Sequence, residues 1–353
     1  MCRQVPTQPI SRDGCACWRC ALRCVAGRRS QVVGDQDPSI RHVQCFSPTS
    51  GDQRTGNQDA GREGRCGVLW IWLRRWREQC RAQNSAGARG ARTGHRCHGV
   101  QAMTTQSTLD VIVYAPALAS KDARTLAVVH GMERALPGVR LEWRIADDGR
   151  LIALPQRDAW LTEGTKEGRF PLVCNGDESY PVTIFGSQIP ARQSPGGQPL
   201  LDVHAELPLD KAVIAAAADV LGDVAEGAHA FWGHATPSGA GVEIARQTRD
   251  PARKPGVPPR GLPALKLPEK IRAPEIPHRL GWLNYWSAPA AQAIGFPDPT
   301  RDAELLSRAR RTATGGWVVQ LTDAPLDLDN PAHLDALLRA YERFPEIGGR
   351  AVP

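Results

Sequence analysis

Asp202, His204 and Glu206 alternate along the stretch Leu201–Leu207. On a strand, period two sets all three on one face, with an imidazole flanked by two carboxylates. Carboxylates so placed could orient the ring as a general base or as a metal ligand. His229 and His234 follow the next helical stretch and could complete such a site. One reading is therefore a hydrolase or metal-dependent enzyme built on His204 with Asp202. The plainer reading is a solvated strand face carrying its usual polar residues. No Gly-x-Ser-x-Gly elbow, Walker loop, dinucleotide fingerprint or His-Glu-x-x-His accompanies the trio. Cys174 has no supporting His motif and reads as a buried thiol.

A second set of residues suits binding. Trp282, Tyr285, Trp286 and Trp317 could line a ligand pocket or anchor an interface, or else fill the core. Asp323, Asp327, Asp329 and Asp335 could dock a basic partner, or else cap and flank a helix start. Pro255–Arg260 matches a PxxPxR ligand pattern, of a kind common by chance in Pro-rich segments.

Composition divides the chain. Nine of the 10 Cys lie at or before Cys97, and all six Lys and four Tyr lie after residue 102. Residues 103–353 hold 27 Lys+Arg against 30 Asp+Glu, a net of −3; the whole chain is +7, so residues 1–102 carry +10. The basic balance belongs to the leading segment, and the rest offers no reason to expect nucleic-acid binding. Residues 1–102 lack sustained apolar periodicity and read as disordered, with a start assigned too early. Cys15, Cys17, Cys20 and Cys24 are close enough to suggest a zinc knuckle but lack paired C-x₂-C blocks. The apolar run Val68–Leu73 is too short to span a bilayer, and no signal peptide is visible.

The elements that must position these residues begin after Met103. Leu109–Tyr114 reads as a buried strand, and Asp122 as the cap of a helix through Leu136. Val139–Ile145 and Leu201–Leu207 alternate as half-buried strands. Residues 155–180 read as mostly loop. Asp210 caps the clearest helix, with Val213, Ala217, Val220, Leu221 and Val224 as its stripe and Gly227 as its end. Ala228–Trp232 reads as a strand and Val242–Arg246 as a short helix. From 250 to 278 the chain is Pro-rich and predicts an extended surface connector. A strand at Trp317–Leu321 and a last helix opened by Asp329 or Asn330 with Pro331 follow. Strict βαβ alternation is missing. The prediction is an α+β fold: one domain with a mixed or mainly antiparallel sheet and packed helices, with 103–249 as its core, 250–278 as connector and 279–353 as the rest.

Six stretches carry a resemblance: Leu280–Ser287, Gly295-Phe296-Pro297 and Gly315–Thr322, with Asp158-Ala159-Trp160, Cys174–Asp177 and Leu201–Ala205. They resemble a bacterial, chiefly myxobacterial, family numbered 5953 among domains of unknown function. The block Gly281–Tyr285 is also similar to the immunity-protein 52 group of polymorphic-toxin systems. These resemblances imply a cytoplasmic protein without cofactor; the charge balance and the short apolar run separately predict no nucleic-acid or membrane partner. The second resemblance implies a cognate protein toxin as partner. Neither supplies catalytic residues, and the oligomeric state stays open.

Overall fold

A computed structural model describes residues 107–351 apart from 121, 147–148, 167 and 249–258. The expectations placed on residues 1–102 and on most of Pro255–Arg260 fall outside the described residues.

Ten strands make one sheet, and every named pair is antiparallel. They are β1 (Thr108–Pro116), β2 (Trp143–Ile145), β3 (Leu151–Ala153), β4 (Phe170–Cys174) and β5 (Thr183–Ile189). The second five are β6 (Leu200–Pro208), β7 (Trp232–Pro237), β8 (Leu283–Trp286), β9 (Ala309–Arg311) and β10 (Trp317–Gln320). In space the order is β3-β2-β4-β5-β6-β1-β7-β8-β10-β9. The α+β class with an antiparallel sheet is as the sequence predicts.

Seven helices lie among the described residues. These are α1 (Arg124–Ala135), α2 (Arg157–Lys166), α3 (Lys211–Ala228), α4 (Ser238–Ala245), α5 (Ala288–Ala293), α6 (Ala303–Ser307) and α7 (Pro331–Arg343). Helix α3 starts because the Asp210 carboxylate accepts from the Val213 amide, occupying a donor the first turn would otherwise leave open. Its predicted stripe is wholly buried against β1, β7, β8 and β10. The helix ends one residue later than its glycine suggests, with His229 in the left-handed region at φ 52°. Gly227 has another task. A Cβ there would lie 2.8 Å from the Ala127 carbonyl and the Val128 nitrogen on α1. Gly131 answers from α1, where a Cβ would lie 2.8 Å from the Asp223 carbonyl oxygen. Bare backbone lets the two helices touch.

Gly227→Leu should therefore destabilise the fold by about 1–3 kcal/mol, the usual cost of overpacking. Gly239→Ala, which meets nothing within 4 Å, should shift stability by less than about 1 kcal/mol. Urea midpoints of the two variants distinguish them; equal midpoints would contradict the close helix crossing.

Three expectations need correction. Residues 155–180 are not mostly loop, since α2 and β4 lie within them. The strand expected at Ala228–Trp232 runs instead from Trp232 to Pro237, because the α3 cap consumes the residues before it: Ala230 N–H bonds the Ala225 carbonyl. The described part of the Pro-rich segment is not a surface connector. Leu262, Leu265, Ile271 and Ile276 are buried, and Thr248 bridges Leu265 in parallel. This segment, 259–282, is a strap laid on the sheet face opposite α3.

Candidate functional site

Antiparallel register arranges the strap-side face in rows. One row runs Ser187–Asp202–Tyr114–Trp232–Trp286–Trp317 across β5, β6, β1, β7, β8 and β10. The next runs Phe185–His204–Ile112–His234–Asn284. A third holds Thr183, Glu206, Asp110 and Thr236. Asp202, His204 and Glu206 do share a face, as their spacing predicts.

The His204 ring lies parallel to Phe185, centroids 5.3 Å apart, and its Nε2 is 2.8 Å from Asp202 Oδ2. His234 sits on the same face, but Ile112 stands between it and His204. Two strand spacings of about 4.8 Å separate their backbones. His229 is exposed at the α3 cap and takes no place in the row, since the left-handed turn ends the helix before β7 begins. The catalytic set expected around His204 therefore loses His229, and His234, whose Nδ1 meets Thr236 Oγ1 at 3.2 Å, makes no hydrogen bond to the pair.

The strap explains why His234 is buried. Gly281 crosses directly over β7, where any Cβ would strike Thr236 Oγ1 and sit 2.9 Å from the His234 Cβ. Asn284 holds it there with both ends of its amide: Gly281 N–H donates to Oδ1 at 2.9 Å, and Nδ2 donates to the Gly281 carbonyl at 3.0 Å. Next door, the Leu280 N–H donates to the Tyr341 hydroxyl at 3.1 Å. The Gly-Trp-Leu-Asn block is thus a clamp that fixes the strap. His234 is 4% and His278 is 3% exposed. Burial, then the charge of Arg279, drives both imidazoles down to about 3. Both are neutral at pH 7 and far too weak as bases for general catalysis there.

Where the strap stops short of β1 and β5 it leaves a cavity of about 410 Å³. Tyr114, Trp232, Leu200 and Ile189 supply its sheet wall. Gln193 and Pro195 come from the turn after β5, and Glu269, His278 and Arg279 from the strap. The turn and the strap are tied by the Gly196 N–H to the Ile271 carbonyl at 2.9 Å. Tyr114 and Trp232 stack at 4.2 Å. Four buried polar atoms around this region have no hydrogen-bond partner among the described residues: Asp202 Oδ1, Trp232 Nε1, His234 Nε2 and Arg279 Nε. The sequence reading missed Tyr114, Trp232, His278 and Arg279. Strand alternation could have given Tyr114 a face, but its place beside Asp202 comes from the pairing of β1 with β6, and no spacing pattern points to Arg279.

The proposed aromatic anchor is corrected. Trp282, Tyr285 and Trp286 are at most 2% exposed. The Trp282 indole donates to the Thr322 carbonyl, and the Tyr285 hydroxyl donates to Glu226 on α3, each at 2.8 Å. Buried and partnered, they are core. Trp317 is half-buried, edge-on to Phe296 and beneath Arg311. Asp323 and Asp327 are exposed, but Asp327 accepts from the Asp329 amide as part of the turn before α7. Asp323 lies 3.8 Å from Arg308, and Asp329 pairs with Arg260. Cys174 is buried, and its thiol is pushed up by burial. None of the described helices is long and apolar enough to cross a membrane.

No curated protein matches the sequence. The solved structure of the Pseudomonas aeruginosa T6SS protein PA0821 is 15% identical, with 67% of this chain and 73% of that one covered at a TM-score of 0.42. The profile described as domain of unknown function DUF5953 matches residues 120–352, the whole of the sheet beyond β1, and the chain belongs to that family.

Proposed function

We propose that this chain is a binding protein and that the cavity between the sheet and the strap is its recognition site. One observation carries the reading. Folded proteins pair nearly all their buried polar groups. Here two that lack partners among the described residues, Trp232 Nε1 and Arg279 Nε, belong to residues lining one recess, whose walls are aromatic and aliphatic and whose strap side carries an arginine. That is the composition of a ligand pocket.

The finer reading is a bacterial, cytoplasmic immunity protein that neutralises one cognate toxin. The likeness of Gly281–Tyr285 to the immunity-protein 52 group supports it. So does the mild acidity of residues 103–353, with 27 Lys+Arg against 30 Asp+Glu. Buried as they are, Trp282, Tyr285 and Trp286 serve this role only as core, not as contact residues. Occlusion would fall to the strap's outer surface and to exposed acids such as Asp323. The test is purification of the tagged full chain from its source cell followed by mass spectrometry. A stoichiometric protein partner is expected, and its absence would overturn the immunity reading.

A second reading, a hydrolase or metal-dependent enzyme using His204, is favoured by the Asp202 carboxylate that orients its ring. It requires that His204→Ala abolish a hydrolytic activity of the purified chain. An activity that survives the substitution removes it.

A further inference from the structure

Resting on the binding reading above, we infer that the cavity takes a carboxylate carrying an apolar body, with Arg279 and the Tyr114 hydroxyl holding the carboxylate. The two groups lie on opposite walls of one recess of about 410 Å³, a volume in the range of small-ligand sites. Among the described residues no carboxylate lies within ion-pair distance of Arg279; its one hydrogen-bond partner is His278 Nδ1, at 3.5 Å from Nη2.

His278 is itself fixed, with Nε2 3.0 Å from the Lys266 carbonyl. That contact assigns the ring proton to Nε2, leaving Nδ1 to accept from the guanidinium and present it toward the cavity. A guanidinium offers a planar fork that matches a carboxylate and stays charged. The nearby Asp202 is committed to His204 through Oδ2. Glu269 is exposed at the rim, where water screens it.

The Tyr114 side chain makes no hydrogen bond among the described residues, and its ring is immobilised against Trp232. Burial raises its pKa, so the hydroxyl keeps its proton and can donate. Both polar groups of this wall pair are donors, which selects an acceptor that bears charge. Leu200, Ile189 and Pro195 give the body of such a ligand an apolar bed.

The chemistry could come from a free organic acid or from the C-terminal carboxylate of a partner chain. Calorimetric titration of the full chain at pH 7.5 separates them. The probes are hexanoate and phenylacetate with their amides, and a short Leu-terminated peptide with a free or amidated C-terminus. Binding of the free acids indicates a small molecule; binding of the free-ended peptide alone indicates a partner's terminus. Either supports the inference when the matching amide binds at least about tenfold more weakly. Arg279→Gln should abolish the difference between acid and amide, and Tyr114→Phe should weaken acid binding by about tenfold.

Equal affinity for acid and amide, or no binding of any probe, overturns it. Tyr114→Phe keeps the stack on Trp232, so it decides the matter if Arg279→Gln does not fold; unchanged affinity in that variant is also fatal. A partner captured from cells that binds Arg279→Gln as well as the parent chain would leave the binding reading intact and remove the carboxylate.

Discussion

Arg343→Ala should cost about 3–5 kcal/mol, because it strands a buried charge. Asp302 has no exposed side-chain surface, and Arg343 is 15% exposed. Arg343 Nε meets Asp302 Oδ1 at 2.6 Å and its Nη2 meets Oδ2 at 2.9 Å, a two-point fork. The same Nη2 donates to the Gly295 carbonyl, and the guanidinium lies over the Phe344 ring. Asp302 Oδ2 also accepts from the Asp298 amide, so the carboxylate ties the loop before α6 to the end of α7. Truncating the arginine leaves that carboxylate in a dry site with one backbone donor. Replacing both partners by apolar groups, as in Asp302→Leu with Arg343→Met, should cost less than the single alanine, since no charge is then buried. Urea unfolding followed by tryptophan fluorescence reads both, because Trp286 and Trp317 pack on the adjoining Phe296. A loss under about 1 kcal/mol for Arg343→Ala would mean water reaches Asp302 after all.

The pair also shows what a sequence gives up readily and what it hides. Helix α3 is plain because its cap and stripe obey one local rule each, and β6 is plain because its alternation is strict. Helix α2 was hidden. Its buried positions are Arg157, Leu161 and Thr165, one face at spacing four, but two of the three are polar. Their partners come from elsewhere: Glu133 Oε1 takes Arg157 Nη1 at 2.5 Å, and the Thr125 and Thr165 hydroxyls meet at 2.6 Å. Apolar periodicity cannot find a stripe that is satisfied by distant hydrogen bonds.

The strap was hidden for a related reason. Leu262, Leu265, Ile271 and Ile276 are buried at irregular intervals between prolines, so no helix or strand period links them. A proline-rich stretch reads as a connector unless the surface that receives it is known. The aromatic block after it was visible, and its role was ambiguous until the register placed Tyr285 toward α3 and Trp286 toward Phe296 and Phe344.

The candidate site divides along the same line. Asp202, His204 and Glu206 could be assigned to one face because they share a strand. Their setting could not, because Tyr114 and Trp232 join Asp202 only through pairing between strands far apart in sequence. Arg279 reaches the cavity only because Gly281 lets the strap lie on β7, a backbone approach that leaves no mark beyond one glycine. Local chemistry is written in neighbours; a cavity wall is written in topology.

The other large effect is expected from pH, and it follows from the strap. His234 and His278 are buried and held to about 3 in the folded chain, against 6.5 in an unfolded one. Below 6.5 the unfolded chain takes up protons that the folded one refuses. Their contribution is whole above that value and drains away as pH falls toward 3. Each site then removes about 1.4 kcal/mol of stability per pH unit, so the two together remove roughly 4 kcal/mol by pH 5. The direction is that of a carboxylate held below its usual range, such as Asp122, but the window differs, since Asp122 acts only where free carboxylates titrate. A slope already present between pH 6.5 and 5 is therefore the mark of the buried imidazoles. Urea midpoints measured across that interval should fall steadily, and His234→Asn should remove about half of the slope. A flat profile down to pH 5 would mean that water or a rearranged strap admits the protons. The strap would then be a loose cover, unable to hold Arg279 in place against the cavity.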